Sequence, residues 1–245
     1  MLKPTLALLT LLLGTTSAFP FLFSTPLSHP SSLSPRGTCT PTPPTHASHD
    51  TDTGGAGLQL HNADSKTRSF FVYANNCDAI PLKFVTINAG QTQFVSLPAQ
   101  FQGRVVRGTE AVNLDGKAHW LGTWLEIGLD VAPAPTGKGW ADVSLIRGCD
   151  GAVSIAALDG TGAATGFSDA RILDDAPAAV LQAKDSGAKV VQATEGLLSV
   201  VVASARDYLA GRLGYGKAYI DDYHGNPVIC SVNKRFSATF YRGRH

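Results

Sequence analysis

Residues 124–131 alternate apolar and polar side chains, and this pattern limits the fold more than any other feature of the chain. Leu125 and Ile127 point to one side, whereas Trp124 and Glu126 point to the other. A period of two residues is that of a β-strand with one face in a core. The chain is therefore predicted to build at least one sheet whose second face carries a carboxylate.

A second strand with the same pattern follows after a loop rich in Pro and Gly. In residues 141–146, Asp142 and Ser144 lie on the face opposite Val143. If the two strands pair antiparallel, Glu126 and Asp142 share a face. The register decides whether they are neighbours, and the sequence alone does not fix it.

Most of the remaining chain also has strand character. Comparable patterns cover residues 68–74, 82–87, 91–97, 103–108, 152–158 and 236–241. Helical spacing is found at residues 200–213, and Gly214 is a typical helix stop. The fold class predicted is mainly β with a smaller loop and helix region.

The first eighteen residues have the three-part pattern of a secretory signal peptide. Lys3 precedes an apolar run at 6–13, and small residues follow at 16–18. The run is too short to span a bilayer, and no other stretch is longer and as apolar. We expect a secreted protein, extracellular or in the cell wall, without membrane association.

A biased segment follows the signal peptide. Residues 19–57 contain 20 Pro, Ser or Thr. This composition leaves too few apolar side chains to form a core. They are predicted to be a disordered leader or pro-segment, with the folded domain covering 58–245. Limited proteolysis is expected to leave a core that begins between Leu58 and Ser69.

The charge balance excludes several classes of function. The chain has 20 Lys+Arg and 19 Asp+Glu, a formal net charge of +1. A dedicated nucleic-acid-binding protein normally has a basic surplus, so no nucleic-acid partner is expected. The seven histidines show no metal-ligand spacing. We predict no metal and no cofactor, and a monomer.

The order of motifs along the chain resembles the thaumatin-like family. The match covers about residues 68–241 and leaves 159–196 unmatched. Its motifs here are Phe70–Cys77, Gly103–Thr109, Thr123–Ile127, Trp140–Gly148, Ala218–Asp222 before Cys230, and Phe236–Phe240. The resemblance implies an antiparallel β-sandwich with a smaller loop and helix region. The low cysteine content favours a fungal secreted member.

The resemblance also implies an acidic cleft. By motif position its arginine is Arg107, or Arg104 if the register slips, and its acidic residues include Glu126 and Asp142. The last aspartate is Asp221 or Asp222. Where the family has a further aspartate this chain has Arg147, which implies a less acidic cleft. The residues alone favour a plainer interpretation, in which Glu126 and Asp142 lie on a solvated strand face, paired with Arg107 or Arg147.

Four cysteines in a secreted chain indicate two disulfides, with three connectivities possible. We predict Cys149–Cys230 inside the domain and Cys39–Cys77 joining the leader to it. Cys230 matches a family cysteine whose usual partner is absent, and the partner position of the first family cysteine is Tyr241 here.

Two functions follow as hypotheses. The first is a module that binds β-glucan, another cell-wall polysaccharide or a host protein through the cleft, without strong catalysis. The alternative is a weak endo-β-1,3-glucanase in which Glu126 and Asp142 are the paired carboxylates that glycoside hydrolysis needs. Arg147 in the cleft favours binding.

Overall fold

The computed structural model describes residue 39 and residues 42–130, 137–196 and 198–245. The predicted signal peptide and most of the predicted leader lie outside these residues. The strands are β1 (Thr45–His46), β2 (Gly57–Asn62), β3 (Arg68–Ala74), β4 (Lys83–Ile87), β5 (Thr92–Ser96), β6 (Gln102–Gly108), β7 (Trp124–Leu129), β8 (Gly139–Ser144), β9 (Gly151–Ala157), β10 (Ala164–Gly166), β11 (Leu181–Ala183), β12 (Lys189–Val191), β13 (Ile229–Ser231) and β14 (Arg235–Gly243). The helices are α1 (Glu110–Asn113) and α2 (Ala203–Leu213), and 3-10 turns cover Ala47–His49 and Ala178–Val180.

Two sheets form the body of the fold. A seven-stranded sheet has the order β1-β4-β3-β6-β7-β8-β13, and a five-stranded sheet has the order β10-β9-β14-β2-β5. Neighbouring strands are antiparallel except for the β1–β4 and β2–β14 pairs, which are parallel. Strands β11 and β12 form a separate hairpin. The prediction of a mainly β fold is confirmed.

The core lies between the two sheets. Leu125, Ile127 and Leu129 of β7 point into it and are at most 2% exposed, as their alternation predicts. From β3 of one sheet and β14 of the other, the rings of Phe70 and Phe240 meet at 4.8 Å between centroids. Because Leu125 and Ile127 face the core, Arg104 of β6, Glu126 of β7 and Asp142 of β8 lie on the opposite side, which we call the outer face of the seven-stranded sheet.

The smaller region contains the hairpin and α2. Helix α2 buries Ala205, Leu209 and Leu213 on one side, the spacing seen in the sequence, and ends at Gly214 with a positive φ of 68°. The helix starts at Ala203 rather than at Val200 as predicted.

The predicted boundary at Leu58 is too late. Strand β1 pairs with β4, Ala47 is completely buried, and the Asp50 carboxylate accepts hydrogen bonds from Lys83 Nζ at 2.7 Å and Ser96 N at 2.8 Å. The last part of the predicted leader is therefore part of the domain. The composition of the segment does not indicate this, because a single buried alanine and a single buried carboxylate leave its apolar content low.

One of the two predicted disulfides is present. Cys39 is joined to Cys77, whereas Cys149 and Cys230 are free thiols, so the pairing predicted between them is wrong. Cys230 lies opposite Trp140 near the start of β8, and Cys149 follows the other end of that strand. At about 3.3 Å per residue β8 alone is longer than the roughly 7 Å that a disulfide allows between Cα atoms.

Candidate functional site

A row of four side chains crosses the outer face of the seven-stranded sheet. The register places Tyr73 of β3 opposite Arg104 of β6, Arg104 opposite Glu126 of β7, and Glu126 opposite Asp142 of β8. Directly opposite residues have Cβ atoms about 4.5–5.5 Å apart. The structure therefore brings the two carboxylates that the sequence singled out into direct apposition.

Arg104 is the arginine of this row. Its guanidinium lies 4.9 Å from the centre of the Tyr73 ring and 4.2 Å from that of Trp124, and Nη1 contacts Asp78 Oδ1 at 2.7 Å. The side chain is only 1% exposed. Arg104 thus supplies a fixed positive charge beside Glu126, and its aromatic contacts hold it there.

Arg107, the arginine chosen by motif position, is not on this face. Three residues along a strand reverse the direction of the side chain, so Arg107 points into the sandwich. Its Nη1 contacts Asp150 Oδ1 at 3.0 Å, and its Nη2 donates to the Tyr241 carbonyl at 3.0 Å. Arg107 therefore has a structural position, away from Glu126.

Asp142 is the most unusual group of the row. Its side chain is completely buried, and neither carboxyl oxygen has a hydrogen-bond partner. Burial raises the pKa of Asp142 well above its ordinary value, and the negative charge of the neighbouring Glu126 raises it further. Because Glu126 is half-buried, the pair presents one accessible carboxyl group beside a completely buried one whose pKa is raised.

Replacing Asp142 with asparagine should change how stability depends on pH. A raised pKa keeps folded Asp142 neutral where the unfolded carboxyl, with a pKa of about 3.9, is already ionised. The parent protein therefore loses stability as the pH rises from 4 towards the folded-state pKa, and the variant does not lose this contribution. Each unit by which the pKa is raised corresponds to about 1.4 kcal/mol.

Urea unfolding of both proteins at pH 4, 5.5 and 7 measures this effect. The free-energy difference should grow in favour of Asp142→Asn as the pH rises. Asp207→Asn, at a carboxylate whose side chain is 64% exposed, is the matched control and should run parallel to the parent. A parallel curve for Asp142→Asn would show that Asp142 is ionised in the fold.

Tyr219 joins the acid pair to the predicted aspartates at 221 and 222. It bridges to Ser144 of β8, and its hydroxyl donates to Asn226 Oδ1 at 2.9 Å. Burial, followed by the charges of Asp142, Glu126 and Asp222, raises the pKa of Tyr219 to about 12.

The two consecutive aspartates have different surroundings. Asp221 is completely buried, and its carboxylate accepts hydrogen bonds from the backbone N–H groups of Tyr223 and His224. Asp222 is exposed, and its backbone N–H donates to Glu195 Oε1 at 2.8 Å. Asp221 therefore shapes the loop, whereas Asp222 is accessible.

Glu195 is a nearby acidic residue that the sequence reasoning missed. Burial raises its pKa, as do the charges of Asp222 and Asp221. Arg147 donates to the Glu195 carbonyl at 3.2 Å, so this cation lies beside a further acidic residue. Glu195 lies in the segment that matched no motif, and no local pattern marked it.

A concave pocket opens near Trp124, at the end of β6. Its lining includes Arg107, Val112, His119 and Lys184 but neither Glu126 nor Asp142. The His119 ring is held between Asp115 and Asp185. Burial alone would lower the pKa of His119, but these two hydrogen bonds outweigh it and raise the pKa.

Two features are absent from the described residues. Residues 42–130, 137–196 and 198–245, with Cys39, contain no group of three or more His, Cys, Asp or Glu that could hold a metal ion. In the same part of the chain, no helix has the length and apolar character needed to cross a membrane.

Comparisons with known proteins give matches at the level of structure. No protein-family model and no curated protein sequence matches the chain. Among solved structures it is similar to the thaumatin-like xylanase inhibitor TLXI, with 10% identity and a TM-score of 0.39 over 76% of this chain and 99% of that one. It is also similar to the protein elicitor MoHrip2 from Magnaporthe oryzae, with 15% identity and a TM-score of 0.33 over 47% of this chain and 81% of that one. The mainly β architecture of the described residues is consistent with the thaumatin-like β-sandwich that the sequence motifs imply.

Proposed function

We propose that this chain is a secreted, thaumatin-like protein that binds an extracellular polysaccharide through the outer face around Glu126, with little or no turnover. A β-1,3-glucan of the cell wall is the first candidate ligand. The observation that carries the proposal is the half-buried Glu126 side chain directly opposite the completely buried Asp142, whose carboxyl oxygens have no hydrogen-bond partner. A location outside the cell agrees with the Cys39–Cys77 disulfide, since such bonds persist in oxidising compartments.

The chemistry of the site suits sugar hydroxyls. A carboxylate accepts hydrogen bonds from hydroxyl groups, and such charged hydrogen bonds are worth about 1.5–3 kcal/mol each. Glu126 is a half-buried acidic residue on this face, and the cation of Arg104 lies opposite it and is fixed by aromatic rings. Fixed charges of both signs beside one another favour a neutral polar ligand over a strongly charged one.

The same geometry argues against efficient hydrolysis. A glycosidase needs one carboxyl group at the leaving oxygen and another at the sugar carbon or at a water. Asp142 is completely buried, so it cannot contact a bound sugar in this conformation.

Replacing Glu126 with glutamine tests the binding function. The variant should bind laminarin more weakly by about 1–3 kcal/mol, because a neutral amide replaces the accepting carboxylate. Isothermal titration calorimetry of the purified secreted protein gives the affinity. Glu110→Gln, at an exposed glutamate in α1, is the matched control and should bind like the parent.

A parent protein that binds no β-glucan would contradict this proposal. An array carrying laminarin, xylan, chitin and pectin separates the outcomes. If the protein binds one of the other glycans and Glu126→Gln weakens that binding, the site is correct but its ligand is not a β-glucan. Binding to none of them would favour a protein partner.

Weak β-1,3-glucanase activity is the second candidate, and one observation favours it. Two opposed carboxyl groups, one with a raised pKa, are the arrangement by which glycosidases separate an acid from a base. This function requires that the parent release reducing ends from laminarin and that both Glu126→Gln and Asp142→Asn abolish the release. Activity that survives either substitution would exclude the pair as its source.

A further inference from the structure

His119 lies between two carboxylates that belong to different parts of the fold. Its Nε2 is 2.9 Å from Asp115 Oδ1, in the loop after α1, and its Nδ1 is 2.5 Å from Asp185 Oδ2, in the turn between β11 and β12. The His119 side chain is only 11% exposed. We call these three residues the histidine bridge, because they join the turn of the small hairpin to the loop after α1.

The histidine bridge needs both N–H groups of the His119 ring. A carboxylate can only accept a hydrogen bond, and here each ring nitrogen faces a carboxylate oxygen. A neutral imidazole has one N–H, whereas an imidazolium has two. The neutral ring can therefore donate to Asp115 or to Asp185, and its other nitrogen then faces a negatively charged oxygen. Both contacts are favourable together only while the ring is protonated.

Other charged groups line or border the pocket beside the histidine bridge. They are Arg107 of β6, Lys117 in the loop after α1, Lys184 in the hairpin turn and His245 after β14. Their positive charges act against protonation of His119, whereas its two carboxylate partners favour it. Burial, followed by the charge of Arg68, lowers the pKa of His245 to about 4, so this second histidine is neutral where His119 titrates.

The hairpin turn forms one wall of the pocket near Trp124. Lys184, Asp185 and Ser186 of the turn line this pocket together with His119. Lys184 also pairs with the buried Asp150 at 2.7 Å, a contact that does not depend on His119. The position of this wall is therefore set by one permanent ion pair and by one contact that requires a protonated ring.

We propose that the histidine bridge is a pH-dependent contact that holds the hairpin turn against the loop after α1 and loosens this wall of the pocket when His119 loses its proton. Asp185 is the carboxylate that is released, because its side chain is 69% exposed and water can replace the ring as its partner. The Lys184–Asp150 pair persists. The change is thus a loosening of the turn and leaves the hairpin itself in place.

The histidine bridge is complete within a pH window. The hydrogen bond from His119 lowers the pKa of Asp115, so the contribution of this carboxylate is lost only as the pH falls through that lowered value. Burial lowers the pKa of His119, but the hydrogen bonds to Asp115 and Asp185 outweigh it and raise the pKa above 6.5. The contribution of the protonated ring is therefore fully present below about pH 6.5, the unfolded value, and is lost as the pH rises through the folded value.

Amide hydrogen exchange of the secreted protein at pH 5.5, 7 and 8.5 tests this proposal. Protection factors, corrected for the intrinsic pH dependence of exchange, are measured by mass spectrometry for a peptide covering residues 181–191. In the parent they should fall by about 2- to 5-fold between pH 5.5 and 8.5, the usual worth of a partly exposed ion pair. In His119→Gln and Asp185→Asn they should be low at pH 5.5 and stay nearly constant.

His61→Gln is the matched control, because His61 contacts the Thr92 hydroxyl at 2.9 Å in the five-stranded sheet. It should show the same pH response as the parent. An NMR titration of the ring C–H signals should give His119 a pKa above 6.5 and a lower one in Asp185→Asn. Protection of 181–191 that is constant with pH in the parent, or that falls equally in His119→Gln, would overturn the proposal. So would a pKa of His119 at or below 6.5.

Discussion

Replacing Arg107 with methionine should lower the free energy of unfolding by about 3–5 kcal/mol, the usual cost of removing one partner of a buried ion pair. Arg107 and Asp150 have side chains that are each 1% exposed. The substitution leaves the Tyr241 carbonyl without its donor, and Lys184 remains as the counter-ion that the structure gives Asp150. Guanidinium unfolding followed by circular dichroism measures the loss.

The control for this substitution is Arg171→Met. The Arg171 side chain is 73% exposed and pairs with Asp175 at the surface, so its loss should cost less than about 1 kcal/mol. If the Arg107→Met variant kept its stability but lost laminarin binding, the structural role would be contradicted. Arg107 would then belong to the binding site, as motif position predicted.

Removing the Cys39–Cys77 disulfide is expected to have the second largest effect. The bond closes a segment with a sequence separation of 38, for which the chain-entropy relation gives about 4 kcal/mol. The double substitution Cys39→Ser with Cys77→Ser should therefore lower the free energy of unfolding by about 2–4 kcal/mol. The loss arises because the unfolded chain regains the freedom that the bond removes.

Cys230→Ser separates this disulfide from the pairing that proved wrong. Cys230 is a free, partly exposed thiol, so its replacement should cost less than about 1 kcal/mol. Thiol labelling adds a second measurement: the folded protein should label Cys230, and Cys149 should react after unfolding because it is completely buried. A Cys230→Ser variant as unstable as the double variant would show that Cys230 is bonded after all.

The strands that build the outer face could be predicted because their side chains alternate. Leu125 and Ile127 face the core and Glu126 faces outwards, which follows from a period of two. The apposition of Glu126 and Asp142 could not be derived, since a shift in register keeps the alternation and changes the neighbour. The structure supplies that register.

The arginine of the site shows a different limit. Arg104 and Arg107 lie in one strand, and motif position favoured the second. Only the pairing of Arg104 with Glu126 reveals which of them shares the carboxylate's face. Side chains alternate in direction along β6, so the direction of one residue would give that of both arginines. The sequence does not show which residue of β6 faces the core, whereas the folded structure shows that Val105 does.

The positions of residues in irregular segments could not be predicted from the sequence, because no hydrophobic periodicity marks them. Glu195 lies in an irregular segment and reaches the site through a hydrogen bond from the backbone of Asp222. Tyr223 has no neighbour in sequence that marks it as exposed. Such residues are placed by loop geometry, and local propensity does not encode where a loop leads.

The parallel pairing of β2 with β14 also determines when the molecule can be completed. Gly57 pairs with Arg235, 178 residues later (235 − 57), and β14 fills the place between β9 and β2. At about 5–20 residues per second, synthesis takes roughly 10–35 seconds to pass from one to the other. During that time β2 presents an open edge, as does β9 once residues 151–157 have been made, and other nascent chains can add to these edges. The emerging polypeptide thus depends on being kept apart from its copies until its last strand arrives.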